Sequence, residues 1–204
     1  MMKQMQTAML LTALAVFGVP SLHAQTDVAL SLYGAFSGAT NGNGTQQSPA
    51  NAAGGMLELR HISNPLVGYD VTYSFNRANQ NYSESCVTGS VCVPTTPKSV
   101  SANAHELTAD WVASVHFANL RPFALAGVGL LFNDPSGGQS STSSSTKPVL
   151  VYGAGLDWGL LPHIGLRFQY RGNVYKAPDL ANAFSSTGRF TRTAEPMIGA
   201  YLRF

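Results

Sequence analysis

Histidines beside carboxylates, and one pair of cysteines, are the residues of this chain with chemistry to offer. His116 shares a strand face with Asp110, and His105 stands beside Ser101 and Glu106. A histidine oriented by a carboxylate near a hydroxyl is what nucleophilic acyl chemistry needs. Neither grouping forms a catalytic motif, and the chain has no Gly-rich phosphate loop, zinc motif or nucleophile elbow. Cys86 and Cys92 lie in one polar segment. An exported chain can bond them, and closing so small a loop is worth roughly 2 kcal/mol in the chain-entropy model. Free thiols and a metal site are the alternatives. The spacing and the lack of a nearby histidine weigh against zinc.

A larger set of charges has a positional rather than a catalytic logic. Only 11% of the residues are charged, against about 25% in ordinary soluble domains. The formal net charge of +2 and the absence of a dense Lys/Arg cluster exclude a nucleic-acid footprint. Six acids (Glu58, Asp70, Glu106, Asp110, Asp157, Glu195), four arginines (Arg60, Arg167, Arg171, Arg203) and His116 nevertheless fall on the same side of successive strands.

Those strands are read from alternation, because successive side chains of a β-strand point to opposite faces. In the run 164–171, Ile164, Leu166, Phe168 and Tyr170 alternate with Gly165, Arg167, Gln169 and Arg171. The pattern recurs at 28–36, 55–62, 66–76, 106–117, 149–160 and 195–204. A further Gly- and Ala-rich run at 122–132 has ambiguous facing. Short turns at 63–65, 118–121 and 161–163 alternate with long polar loops at 37–54, 77–105, 133–148 and 176–193. Stretches of that composition do not form cores of their own, and 140–146 is expected to lack fixed structure. The order is that of an up-and-down meander.

The oily face must meet lipid. An eight-stranded barrel has an interior only wide enough for side chains, too narrow for this many Trp, Tyr, Phe and Leu residues. Strands of about 9 to 11 residues match a tilted membrane crossing, and only closure satisfies the backbone in lipid. The expected fold is therefore all-β, an eight-stranded antiparallel up-and-down transmembrane β-barrel over residues 25–204. Residues 1–24 read as a signal peptide: Lys3, an apolar stretch at 9–19, and a small residue, Ala24, at the cleavage position.

The C-terminal Gly199-Ala200-Tyr201-Leu202-Arg203-Phe204 resembles the terminal signature of bacterial outer-membrane barrels, carried by Gly199, Leu202 and Phe204. In that family it is read by the barrel-assembly machinery. The whole of 25–204 resembles the eight-stranded opacity-like and OmpA/OmpX-type barrels, most closely at Arg121–Gly129 and Leu166–Arg171. The resemblance implies an outer-membrane protein in contact with lipid and lipopolysaccharide. We expect a monomer with both termini periplasmic and with neither cofactor nor nucleic-acid partner.

The inward charges are read as a salt-bridged plug, and the function as structural or surface-interaction through four external loops, with the external ligand open. A narrow water-filled pore is the first alternative. A lipid A-modifying enzyme is the second and the less favoured. The family's lipid A deacylases carry a His and a Ser on a late strand, where this chain has Tyr170-Arg171-Gly172-Asn173. The chain is accordingly expected not to be an enzyme.

Overall fold

The computed structural model describes residues 24–84, 96–136 and 142–204. In chain order the strands are β1 (Gln25–Ser37), β2 (Thr40–Gly42), β3 (Thr45–Pro49), β4 (Ala52–Asn64), β5 (Val67–Glu84), β6 (Lys98–Ser114), β7 (Leu120–Pro135), β8 (Ser145–Gly159), β9 (Ile164–Lys176) and β10 (Phe190–Arg203). Eight of them form the wall. Each is antiparallel to its neighbours in the order β1, β4, β5, β6, β7, β8, β9, β10, and β10 pairs back onto β1. This is the closed eight-stranded barrel expected from the alternation. The remaining two, β2 and β3, form a small hairpin that extends the sheet beside β5.

The two faces separate as the pleat requires. On β9, Phe168 and Tyr170 point out while Arg167, Gln169 and Arg171 are buried inside. Outward residues such as Leu32 (70% exposed) and Trp111 (54%) belong to a band that water would not tolerate at this extent. The ambiguous fifth wall strand, β7, resolves in the same way. Arg121, Phe123, Leu125 and Leu131 face in, while Val128, Leu130 and Phe132 face out. Inward Gly127 and Gly129 sit where a Cβ would strike the Asp110 carboxylate and the Leu107 carbonyl. Within the interior, Phe123, Leu125, Ile62, Val112, Val149 and Val151 pack as one apolar cluster, and Tyr33, Met56 and Met197 belong to another.

Several strands run past the expected boundaries. Residues 77–84 and 98–105, read as loop, continue the β5–β6 ladder out to Tyr82↔Lys98. Ser145 and Thr146, expected to lack structure, pair with Asn133 and Phe132. Beyond the lipid, a ladder needs only backbone partners, so oily alternation stops before the strand does. The 37–54 segment contains the β2–β3 hairpin, turned at Asn43 and Gly44 with φ of 50° and 74°. Two successive positive φ values make the two-residue turn that fits strand twist, and Asn-Gly is the pair that tolerates it. The short turns are tight; at one of them the Asn64 side chain accepts from the Leu66 N–H at 3.0 Å.

Candidate functional site

The lumen is crossed by ion pairs at its short-turn end. The Arg167 guanidinium on β9 donates to Asp157 on β8 (2.7 Å) and to Asp27 on β1 (2.8 Å). It also pairs with Glu58 on β4. Arg121 on β7 donates to both Asp27 and Asp157 at 2.6 Å. Asp27, Arg121, Asp157 and Arg167 thus close a ring of alternating charge. Arg60 on β4 binds Glu58 and Asp70, each at 2.9 Å, and reaches Asp157 at 3.9 Å. Its guanidinium lies 4.0 Å from the centroid of the Phe123 ring. In an eight-stranded ring, β1 faces β7 and β4 faces β8 across the diameter. These contacts therefore tie opposite walls together. Arg60, Arg167 and Arg171 are all fully buried.

One level up, a single guanidinium serves more acid. Arg171 approaches Asp110 at 3.1 Å and Glu106 at 3.9 Å, and donates to Thr108 at 2.9 Å. Thr108 bonds Thr72 at 2.7 Å, linking β6 to β5. Asn173 donates to both Glu106 oxygens, at 3.0 and 3.2 Å. Glu195 is buried beside this group and has no guanidinium partner among the described residues. Seven of the chain's ten carboxylates are in the lumen, against four arginines. Above them lies a cavity of about 30 Å³, with Glu106, Glu195, Asn133, Asn173 and Tyr175 in its lining. That is room for about two waters.

The long-loop end is covered. Segment 177–189 leaves β9 and crosses to β5 and β6, on the far side of the ring. Leu180, fully buried, packs with Ala181 against inward-facing Tyr82, Val100 and Ala102. The Tyr82 hydroxyl donates to the Pro178 carbonyl (3.0 Å) and accepts from the Leu180 N–H (3.2 Å). Burial pushes the Tyr82 phenol up to about 12, so it stays a neutral donor. The β2–β3 hairpin is tied in at the same end: Gln47 donates to Gln80 at 3.0 Å, and Thr40 bonds Thr187 at 3.2 Å.

The charged residues singled out in the sequence each have a definite place. Glu58, Arg60, Asp70, Glu106, Asp110, Asp157, Arg167, Arg171 and Glu195 are inside and buried. His116 is not: β6 ends at Ser114, and His116 is exposed in the following turn, away from Asp110. Arg203 is also apart, half-exposed at the barrel's end, where it donates to the Tyr201 hydroxyl at 3.1 Å. The last steps of alternation lie beyond the plug: Arg203 keeps the inward parity of Tyr201 but makes no ion pair among the described residues, and His116 has already left the strand. Two members were missed. Asp27 lies one residue before the expected first strand, and Arg121 inside an expected turn. Arg121 has the same parity as Phe123 and Leu125, a signal that extending the strand back by one residue would have used.

His105 faces outward, bonds the Tyr73 hydroxyl at 2.8 Å and lies against Phe75. Ser101 accepts from Arg77 at 3.1 Å, while Glu106 turns inward to Asn173. The histidine groupings suggested by the sequence are thus not brought together. Cys86 and Cys92 lie outside the described residues. Gly199 sits on β10 where a Cβ would meet Ser31, and Leu202 and Phe204 face out at the barrel's end.

A closed antiparallel barrel with an oily exterior and a charged, filled interior defines an integral membrane protein that crosses with strands. Residues 9–189 match the outer membrane protein beta-barrel domain family, and the chain belongs to it. Membership places it in the outer membrane. Among solved structures, Ail of Yersinia pestis, in complex with the heparin analogue sucrose octasulfate, is 19% identical. That match covers 89% of this chain and 99% of Ail, with a TM-score of 0.51. OprG of Pseudomonas aeruginosa is 11% identical over 89% of this chain and 96% of its own, with a TM-score of 0.62. Neisserial surface protein A is 13% identical over 89% and 97%, with a TM-score of 0.50. At such identities the likeness concerns the fold. No curated protein sequence matches the chain.

Proposed function

We propose that this chain is a sealed outer-membrane barrel that works at the cell surface, in a structural or surface-interaction role, through its long-loop end. The observation that supports this most directly is the ion-pair ring joining opposite walls, with a second closure by segment 177–189 above it. A conducting lumen would need both to move. In this reading residues 1–24 are removed after Ala24 and the barrel begins at Gln25. Both barrel termini face the periplasm, and the long loops face outward. Gly199, Leu202 and Phe204 are the assembly signal. The barrel is a monomer solvated by outer-membrane lipid and lipopolysaccharide, without cofactor or catalysis.

Planar-bilayer recording on the purified, folded protein tests the reading. The expected result is a silent bilayer. Discrete single-channel steps from the wild-type chain would refute the plug and favour a small pore. The enzyme alternative is tested separately, by mass analysis of lipid A from cells with and without the protein; the expected result is identical spectra.

A further inference from the structure

Two irregularities on the outward face of the β1–β10–β9 wall line up along one strand. The first is a groove. The β1–β10 ladder pairs Tyr33 with Met197 and Phe36 with Ala194, but the steps between them, Gly34/Pro196 and Ala35/Glu195, fall outside it. Proline has no N–H to offer a neighbouring strand, and Gly34 adds no side chain. The result is an open surface groove edged by Leu32, Gly34, Pro196 and Ile198.

The second is a pair of unneutralised cations. Lys176 on β9 and Arg192 on β10 are both exposed at the long-loop end. The register pairs Lys176 with Phe190 and Arg192 with Val174, so the cations are diagonal neighbours, about 7–8 Å apart. Among the described residues neither makes an ion pair or a side-chain hydrogen bond. The nearby Asp179 is taken by Lys147 at 3.1 Å, and seven of the ten carboxylates are enclosed in the lumen. Exposed Phe190 flanks the pair. Arg192 is four residues above Pro196 on the same face, roughly 13 Å along the strand; between them stand the small Ala194 and its β1 partner Phe36, whose exposed ring leans toward Gly34 at the rim of the groove.

Two cations able to chelate one phosphate, above a groove leading down the wall, have the shape of an anionic lipid. We propose that this wall holds one phosphorylated glycolipid of the lipid A class, its phosphate between Lys176 and Arg192 and an acyl chain in the Gly34–Pro196 groove. The choice of lipid rests on the orientation proposed above, in which the long-loop end meets the outer leaflet.

Native mass spectrometry of the folded protein in mild detergent tests the site. The ligands are phosphorylated lipid A, its dephosphorylated form, phosphatidylglycerol and inorganic phosphate. Wild type is expected to retain one lipid A. Lys176→Gln/Arg192→Gln is expected to bind it about 30-fold more weakly, and dephosphorylated lipid should bind wild type equally weakly. Gly34→Leu, by pushing the Phe36 ring aside and filling the groove, should also weaken lipid A. Heat-modifiable gel mobility verifies that each variant is folded. Equal retention by wild type and the double variant would overturn the site. Phosphatidylglycerol or inorganic phosphate held as tightly as lipid A would overturn the choice of ligand. An epitope inserted after Gly44 and probed on intact cells tests orientation independently. An inaccessible epitope would overturn the outer-leaflet assignment, whatever the binding result in detergent.

Discussion

Replacing Arg167 by methionine is the sharpest perturbation of the plug, because this one guanidinium touches three buried carboxylates. It makes charge-assisted contacts to Asp157 and Asp27 at 2.7 and 2.8 Å, and one more to Glu58. Such contacts are worth about 1.5–3 kcal/mol each, so a simple sum would predict the loss of several times that. The sum overstates the effect, because every one of the three acids keeps another arginine. Arg121 remains on Asp27 and Asp157, and Arg60 on Glu58. The lumen is left with one uncompensated negative charge more than in the wild type, and uncovering a buried charge costs about 3–5 kcal/mol. Arg167→Met should therefore destabilise the barrel by about that amount, read from urea unfolding in lipid vesicles by loss of heat-modifiable mobility. Adding Glu58→Gln removes the surplus charge and should restore more than half of the loss. A single variant within about 1 kcal/mol of wild type, or a double variant worse than the single, would refute the account of the ring and Glu58 as a coupled unit.

The cap and the small residues give further tests. Tyr82→Phe deletes both hydrogen bonds to segment 177–189 and should loosen it by about 1–2 kcal/mol. That would be seen as faster amide exchange there, with the wall strands unchanged. Gly127→Val forces a side chain onto the Asp110 carboxylate and the β6 backbone and should cost roughly 1–3 kcal/mol by overpacking, measured by the same urea assay. Ser31 crowds Gly199 in the same way, so Gly199→Val should lower the yield of heat-modifiable barrel in the outer-membrane fraction. If Cys86 and Cys92 are bonded in the exported protein, intact mass will rise by two hydrogens on reduction; an unchanged mass would exclude the bond.

The wall was legible because lipid enforces the pleat: Leu30, Leu59, Trp111 and Tyr170 show their face at every second step. Strand ends were not, because the force that writes the pattern ends at the lipid boundary while backbone pairing continues. Arg121 and Asp27 were lost to that effect, and His116 and Arg203 were wrongly gained by it. β7 hid its facing because it places Leu and Phe on both sides, with Phe123 inside beneath Arg60. The Asn43-Gly44 turn was readable from the dipeptide, yet was passed over inside a polar loop. The crossing of 177–189 left no trace in the pattern, since Leu180 and Phe184 show no alternation and their partners, Tyr82 and Val100, are fixed only by closure. Which carboxylate meets which arginine also depends on strand register around the whole ring.

The separation of these partners along the chain bears on when the barrel can be finished. Arg60 and Asp70 lie on one hairpin, as do Asp157 and Arg167, and those pairs can form early. Asp27 must wait for Arg121, 94 residues later, and for Arg167, 140 residues later. Glu58 waits 109 residues for Arg167. A partly assembled sheet would carry those charges bare, so its intermediates are costly in lipid and its contacts of long range are slow to form. Opening the finished barrel at the β1–β10 seam would expose them again. Insertion and release should then both be steep, all-or-none events, giving a barrel whose persistence is set by the rate of seam opening more than by its equilibrium stability.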